Sequence, residues 1–353
     1  MMPVQKDMAV HQIFLELTNH CNFSCSFCAE EAMQRERGFM DEQLASRLLK
    51  EISQEKLASR VLFHVMGEPL LHPRLVDILE HARRLGLSSV VYTNGSLLSG
   101  ERGAALLESG LSELVISLHS KGPQDHKLRN AAGIRYEDYL RHICEFIRTR
   151  YSMPSEMTIR VEIMNTLGSS YGIVDTEVDI LNFILSWADF LRELGFDPVD
   201  NPAKTFFASF RNRQYAEHRL LDNFVIGLKP VGEWVDARRI AAVKEDGVVA
   251  FEGECPALQS HFAILWNGDF TVCCSDYDGM NVLGNVTNIS LREFWTKRRV
   301  QNLRADFQSG FLGLPYCLVC HSVPKSRAIR TGEASWKLEN HLRQGHNIKC
   351  RVR

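Results

Sequence analysis

The sequence predicts an α/β protein: a partial (β/α)6 TIM-like barrel followed by a small C-terminal α+β unit. Three observations predict it. Over the first 200 residues, short β-branched runs alternate with amphipathic helical stretches, as parallel βαβ units require. The distinctive short motifs each follow one of those runs, where the loops of a barrel converge on one mouth. Eight of the ten cysteines fall into two groups, one after the first run and one beyond residue 250.

Residues 13–17 read as the first strand. From 41 to 53, Leu44, Leu48, Leu49 and Ile52 share one helical face. Residues 61–65 form a second strand, and Leu75, Ile78, Leu79 and Ala82 line the next helix. The third strand (89–92) precedes a helix near 101–109, and the fourth (114–118) a helix over 136–148. The fifth (157–164) precedes a helix over 178–194, and a sixth is expected near 206–210. Six units are too few to close an eight-stranded barrel, so the sheet is expected to stay open. The expected divisions are a barrel over 1–215, a bridge over 216–253, a second unit over 254–330 and a basic tail over 331–353.

Composition excludes several classes. With 45% hydrophobic and 24% charged residues, the chain is that of an ordinary globular protein. A net charge of −2 gives no electrostatic case for nucleic acid or an anionic membrane. No apolar run is long enough to span a bilayer, and residues 1–12 lack the apolar core of a signal peptide, so a cytoplasmic location is expected. Ten cysteines without an export signal point to metal rather than to a disulfide framework. Cys144 and Cys350 stand outside both groups.

Cys21, Cys25 and Cys28 sit on one short loop directly after the first strand. Three thiolates are one too few for a tetrahedral or cubane ligand set, so one metal position is left open, as in a catalytic site. A zinc knuckle here would need a fourth Cys or His. With Phe27 just before the third cysteine, this Cys-x3-Cys-x2-Cys loop resembles that of the radical S-adenosylmethionine (SAM) superfamily. The resemblance implies a [4Fe-4S] cluster on the three thiolates, with SAM chelated at the open iron. It also implies reductive cleavage of SAM to a 5′-deoxyadenosyl radical that abstracts a substrate hydrogen atom, with a flavodoxin or ferredoxin as electron donor.

The same resemblance assigns further SAM contacts. Gly67-Glu68-Pro69, after the second strand, is similar to the family's Gly-Gly-Glu-Pro element, with Met66 in place of the first glycine. Asn94 lies in Thr93-Asn94-Gly95 after the third strand, Ser117 ends the fourth, and Arg129 follows. His119 stands where many relatives have aspartate. Apart from the resemblance, Gly67-Glu68-Pro69 and Thr93-Asn94-Gly95 also suit ordinary turns. On the fifth strand Arg160 and Glu162 share a face. They are the candidate catalytic residues, or else a buried ion pair, and His64 and Glu16 are expected to face the same cavity.

In the second group, Trp266-Asn267-Gly268-Asp269 reads as a hairpin turn between 262–265 and 270–273. Cys255, Cys273, Cys317 and Cys320 make a complete four-thiolate set, with Cys274 the rival of Cys273. The arrangement resembles the twitch or SPASM auxiliary-cluster domains of radical SAM enzymes, which implies a second [4Fe-4S] cluster. A zinc ion would satisfy the same four cysteines. A fully capped cluster suits electron transfer, so the leading expectation is net oxidation of a small molecule such as a sugar or cyclitol. Modification of a peptide is the alternative, and a non-enzymatic metal-binding or electron-transfer module is a distant one.

Overall fold

The computed structural model describes residues 9–131, 133–232, 247–248, 253–320 and 323–324. The chain divides into two compact units, Met1–Trp234 with Ala257–Gln301, and Val235–Pro256 with Asn302–Arg353.

The first unit is built on one open ten-stranded sheet. Its strands are β1 (Gln12–Leu15), β2 (Arg60–Phe63), β3 (Ser88–Thr93), β4 (Glu113–Ser117), β5 (Thr158–Asn165), β6 (Ala216–Leu221) and β7 (Phe224–Pro230), with β9 (His261–Ile264), β10 (Asp269–Thr271) and β11 (Val282–Asn285). The order is β11-β10-β9-β1-β2-β3-β4-β5-β7-β6. From β9 to β7 every neighbour is parallel, while β6 and the β10–β11 hairpin close the two edges antiparallel. The edges do not meet, so the sheet is an unclosed barrel.

Helices fill the crossovers: α1 (Glu42–Gln54), α2 (Leu75–Arg84), α3 (Gly100–Glu108), α4 (Pro123–His126), α5 (Tyr136–Ser152) and α6 (Glu177–Glu193). Asp41 starts α1 by accepting from the N–H groups of Gln43 and Leu44. The buried stripes are those that periodicity picks out, such as Ala45, Leu48, Leu49 and Ile52 on α1. Under the helices lies an aliphatic sheet face. Ile13, Val61, Leu114, Ile116, Ile159, Val161 and Ile163 on it are fully buried.

Two expectations are corrected. Residues 206–210 are helical: they lie in α7 (Lys204–Arg211), which buries Phe206 and Phe210 four residues apart on one face. The sixth parallel strand is β7, reached through the β6–β7 hairpin, so the sheet continues past residue 215 to Pro230. The 262–273 hairpin forms as expected, with Gly268 at positive φ in its turn. Its β9 joins the same sheet beside β1 rather than a separate one. The expected 331–353 tail lies outside the described residues, and no helix among the described residues is long and apolar enough to cross a membrane.

In the second unit, β8 (Gly247–Val248) pairs with β12 (Val323–Pro324), and a helix covers Pro315–Cys320.

Candidate active site

The loop after β1 presents Cys21, Cys25 and Cys28, each partly shielded. Burial pushes the Cys21 thiol up to about 12, the Cys28 thiol to about 11, and that of Cys25 upward. Neighbouring sulfurs add to the rise at Cys21 and Cys28, so the three lie within electrostatic reach of one another. Donors already point at the sulfurs. Arg129 bonds to Cys25, backbone N–H groups serve Cys21 and Cys28, and Asn94 Nδ2 lies 3.9 Å from Cys21 Sγ. Thiolates that are costly when buried, yet provided with donors, fit an iron–sulfur cluster, whose irons supply the missing positive charge.

Arg129 is the least ordinary of these donors. It is 2% exposed and, among the described residues, has no carboxylate partner within salt-bridge distance. Its guanidinium donates to the carbonyls of Ser117 and Leu118 and lies over the Phe23 and Phe27 rings, 5.1 and 6.0 Å from their centroids. A buried charge without a counter-charge is expensive. Thiolates on Cys25 and its neighbours, or the carboxylate of a ligand, would balance it.

Gly67 and Glu68 tie the strand ends together. Gly67 adopts φ +79°, and a Cβ there would lie 2.5 Å from Thr18 O and 2.7 Å from His20 O. Only glycine lets this backbone approach the segment that leads into Cys21. Glu68 N donates to His20 O at 2.7 Å. Its carboxylate accepts from Thr93 Oγ1 (2.8 Å), Asn94 N (2.6 Å) and Leu70 N (3.1 Å). Burial raises this carboxyl to about 7 against those bonds. Pro69 opens a short 3-10 turn, Pro69–Leu71, that ends the approach. Phe27 packs edge-on to His119 and Tyr171.

The structure thus brings Cys21, Cys25, Cys28, Phe27, Asn94, Ser117 and Arg129 to one end of the sheet. Glu16 lies there too but faces no free cavity. It is fully buried in a bidentate pair with Arg35, and it also accepts from Met66 N and Trp266 N. Arg35 Nε in turn donates to Tyr277 O, and Asp278 accepts from Gln34 N and Arg35 N. The tail of the cysteine loop is thereby pinned to the segment after β10, which carries Cys273 and Cys274.

The inner face of the sheet below this end is polar. His64 stacks on Tyr92 at 4.8 Å, with Phe14 beside it. Burial drives His64 down to about 3, so it is neutral. Arg160 does not pair with Glu162. It bridges Glu113 and Glu217 and accompanies Tyr215, while Arg60 also holds Glu113 at 2.7 Å. Glu162 is 1% exposed, its Oε2 has no hydrogen-bond partner, and burial raises its pKa. It sits opposite Gly227 on β7, where a Cβ would come within 2.9 Å of Glu162 Cγ. Sequence reasoning missed Tyr92, Gly227, Lys229 and the Arg35 clamp.

Of the second cysteine group, Cys273 and Cys274 follow β10 in the first unit. The other three belong to the second unit, where the Pro315–Cys320 helix sets Cys317 and Cys320 one turn apart. Cys255 lies close enough to Cys320 to add to the upward push of burial on its thiol. A separate cavity of about 410 Å³ opens between α5 and α6, lined by Leu140, Cys144, Phe183 and Trp187, and holds none of these residues.

Comparison with known proteins agrees with this geometry. Residues 15–151 match the radical SAM superfamily, and residues 255–321 match the SPASM iron–sulfur cluster-binding domain. The chain is 30% identical over 131 residues to the S-adenosyl-L-methionine-dependent 2-deoxy-scyllo-inosamine dehydrogenase of Niallia circulans, covering 35% of this chain and 50% of that protein. It is 33% identical over 114 residues to the PqqA peptide cyclase of Streptomyces rochei, covering 31% of this chain and 30% of that one. The chain therefore spans half or less of the length of these relatives. The fold is similar to that of Streptococcus suis SuiB bound to precursor peptide SuiA, with a TM-score of 0.55 and 16% identity over 84% of this chain and 67% of that one.

Proposed function

Because this chain is a radical SAM enzyme with a C-terminal SPASM-type iron–sulfur domain, we propose that it oxidises a carbinol of a small polyhydroxylated substrate, such as a sugar or cyclitol. Cys21, Cys25 and Cys28 hold the SAM-binding [4Fe-4S] cluster in this reading, and Cys255, Cys273, Cys317 and Cys320 an auxiliary one. When bound, these groups supply one-electron cleavage of SAM to methionine and a 5′-deoxyadenosyl radical, which takes a hydrogen atom from carbon, and an acceptor for the electron the substrate gives up. A flavodoxin or ferredoxin provides the reducing electron.

The chain's own tasks are to hold the carbinol and to take its hydroxyl proton. Glu162 carries the reading. It is a deeply buried carboxylate with a free oxygen, aimed into the polar face below the cysteine loop. The substrate's two hydrogens leave as one hydrogen atom and one proton, and a base at this position accounts for the proton. Arg160, engaged by Glu113 and Glu217, shapes the inner face of the sheet rather than taking a proton. His64 and Tyr92 add hydrogen-bonding groups to it. The similarity to a dehydrogenase supports this reading, and the similarity to a peptide cyclase supports a second one, modification of a peptide.

The test is anaerobic turnover of reconstituted enzyme with panels of sugars, cyclitols and short peptides. The expected result is a sugar or cyclitol product lighter by two hydrogens, equimolar with 5′-deoxyadenosine. Peptide modification alone would move the assignment to the second reading.

A further inference from the structure

We infer that Lys229 is an anion anchor for the substrate, so that the polyol oxidised here carries a phosphate or a carboxylate. This inference rests on the oxidation reading above and adds the substrate's charge to it.

Strand pairing sets the geometry. Glu162 pairs with Gly227 and Met164 with Lys229, so Gly227 and Lys229 face the same side of β7. That side is the inner one, because the hydrogen of Gly227 points at Glu162, Arg160 and Tyr215. Lys229 therefore stands two residues nearer the C-terminal end than Glu162, about 7 Å along the strand toward the mouth. Its charge is felt by Glu162 on β5, by His64 after β2 and by His119 after β4.

Lys229 is exposed, and among the described residues no carboxylate lies within salt-bridge distance of it. Of the other cations near this face, Arg60 and Arg160 are held by Glu113 and Glu217 and Arg35 by Glu16, while Arg129 is buried at the Cys25 sulfur. Glu162 and Lys229 thus share one face of the sheet without touching, and among the described residues Glu162 Oε2 has no hydrogen-bond partner and the ammonium no carboxylate partner. A polyol bound along β7 would place its carbinol toward Glu162 and its anionic group at the ammonium, about two residues of strand away. A neutral sugar would leave the ammonium unmatched.

The test uses reconstituted full-length enzyme and measures binding without turnover. The probes are inorganic phosphate, a hexose 6-phosphate, a hexuronate, the neutral hexose and SAM. Wild type is expected to bind the charged hexoses roughly tenfold or more tighter than the neutral one, and Lys229→Gln to lose that preference. Lys229→Arg is expected to keep most of it. Equal binding of charged and neutral hexoses by wild type overturns the inference. So does a Lys229→Gln loss confined to SAM, which would make the SAM carboxylate the anion held there. Because no turnover is involved, failure of the anchor is distinguishable from failure to form an oxidised product.

Discussion

Replacing Arg129 by glutamine is expected to lower 5′-deoxyadenosine formation by about a hundredfold or more. Arg129 satisfies the Ser117 and Leu118 carbonyls and reaches the Cys25 sulfur from a site that is 2% exposed. Each charge-assisted bond of this kind contributes about 1.5–3 kcal/mol. Losing two or three of them costs roughly 3–4 kcal/mol or more, which corresponds to a hundredfold to thousandfold loss in rate. Arg129→Lys keeps the charge but not the planar fork, so it is expected to recover only part of the loss. Cleavage rate, iron content and thermal melting are measured together. A simple packing role would lower the melting temperature of both variants alike and leave the rate per bound cluster unchanged. Rates within about twofold of wild type in both variants would refute the assignment.

The second large effect is expected at Glu162. Glu162→Gln preserves shape and removes the proton acceptor, so oxidised product should fall by about 10²–10⁴-fold. Cleavage of SAM should continue, now uncoupled from product. The pH dependence has a definite sign. Burial raises the Glu162 pKa, so the carboxylate needed as base is lost as pH falls through that raised value. Wild-type product formation should therefore decline on the acid side at higher pH than an exposed glutamate would dictate, and the variant should lose that limb. Equal losses of product and of SAM cleavage would instead make Glu162 a structural residue.

Much of the site was legible because its chemistry is local. Cys21, Cys25 and Cys28 share one loop, and Gly67-Glu68 needs only a strand end and a positive φ. The alternation of Arg160 and Glu162 with Ile159, Val161 and Ile163 placed both charges on the inner face. What alternation does not give is the partner. Arg160 pairs with Glu113 from β4 and Glu217 from β6, contacts set by a sheet register that no local pattern encodes. Glu16 is claimed by Arg35 for the same reason.

Lys229 was missed because β7 was missed. Residues 224–228 form a continuous apolar run, buried on both faces, so no alternation separated an inner side from an outer one. The expected strand at 206–210 failed through its own spacing, since Phe206 and Phe210 repeat every four residues, a helical interval. Once β7 is in place, the step from Gly227 to Lys229 follows from the pleat alone.

The claim that most of this depends on is that the Cys21–Cys25–Cys28 loop binds a cluster that cleaves SAM. The direct measurement is iron content and dithionite-driven 5′-deoxyadenosine formation, after anaerobic reconstitution of wild type and of the Cys21→Ala, Cys25→Ala, Cys28→Ala triple variant. Two four-iron clusters predict about eight irons for wild type and about four for the variant, with cleavage by wild type alone. Equal iron in both proteins, or cleavage by the variant, would contradict the account.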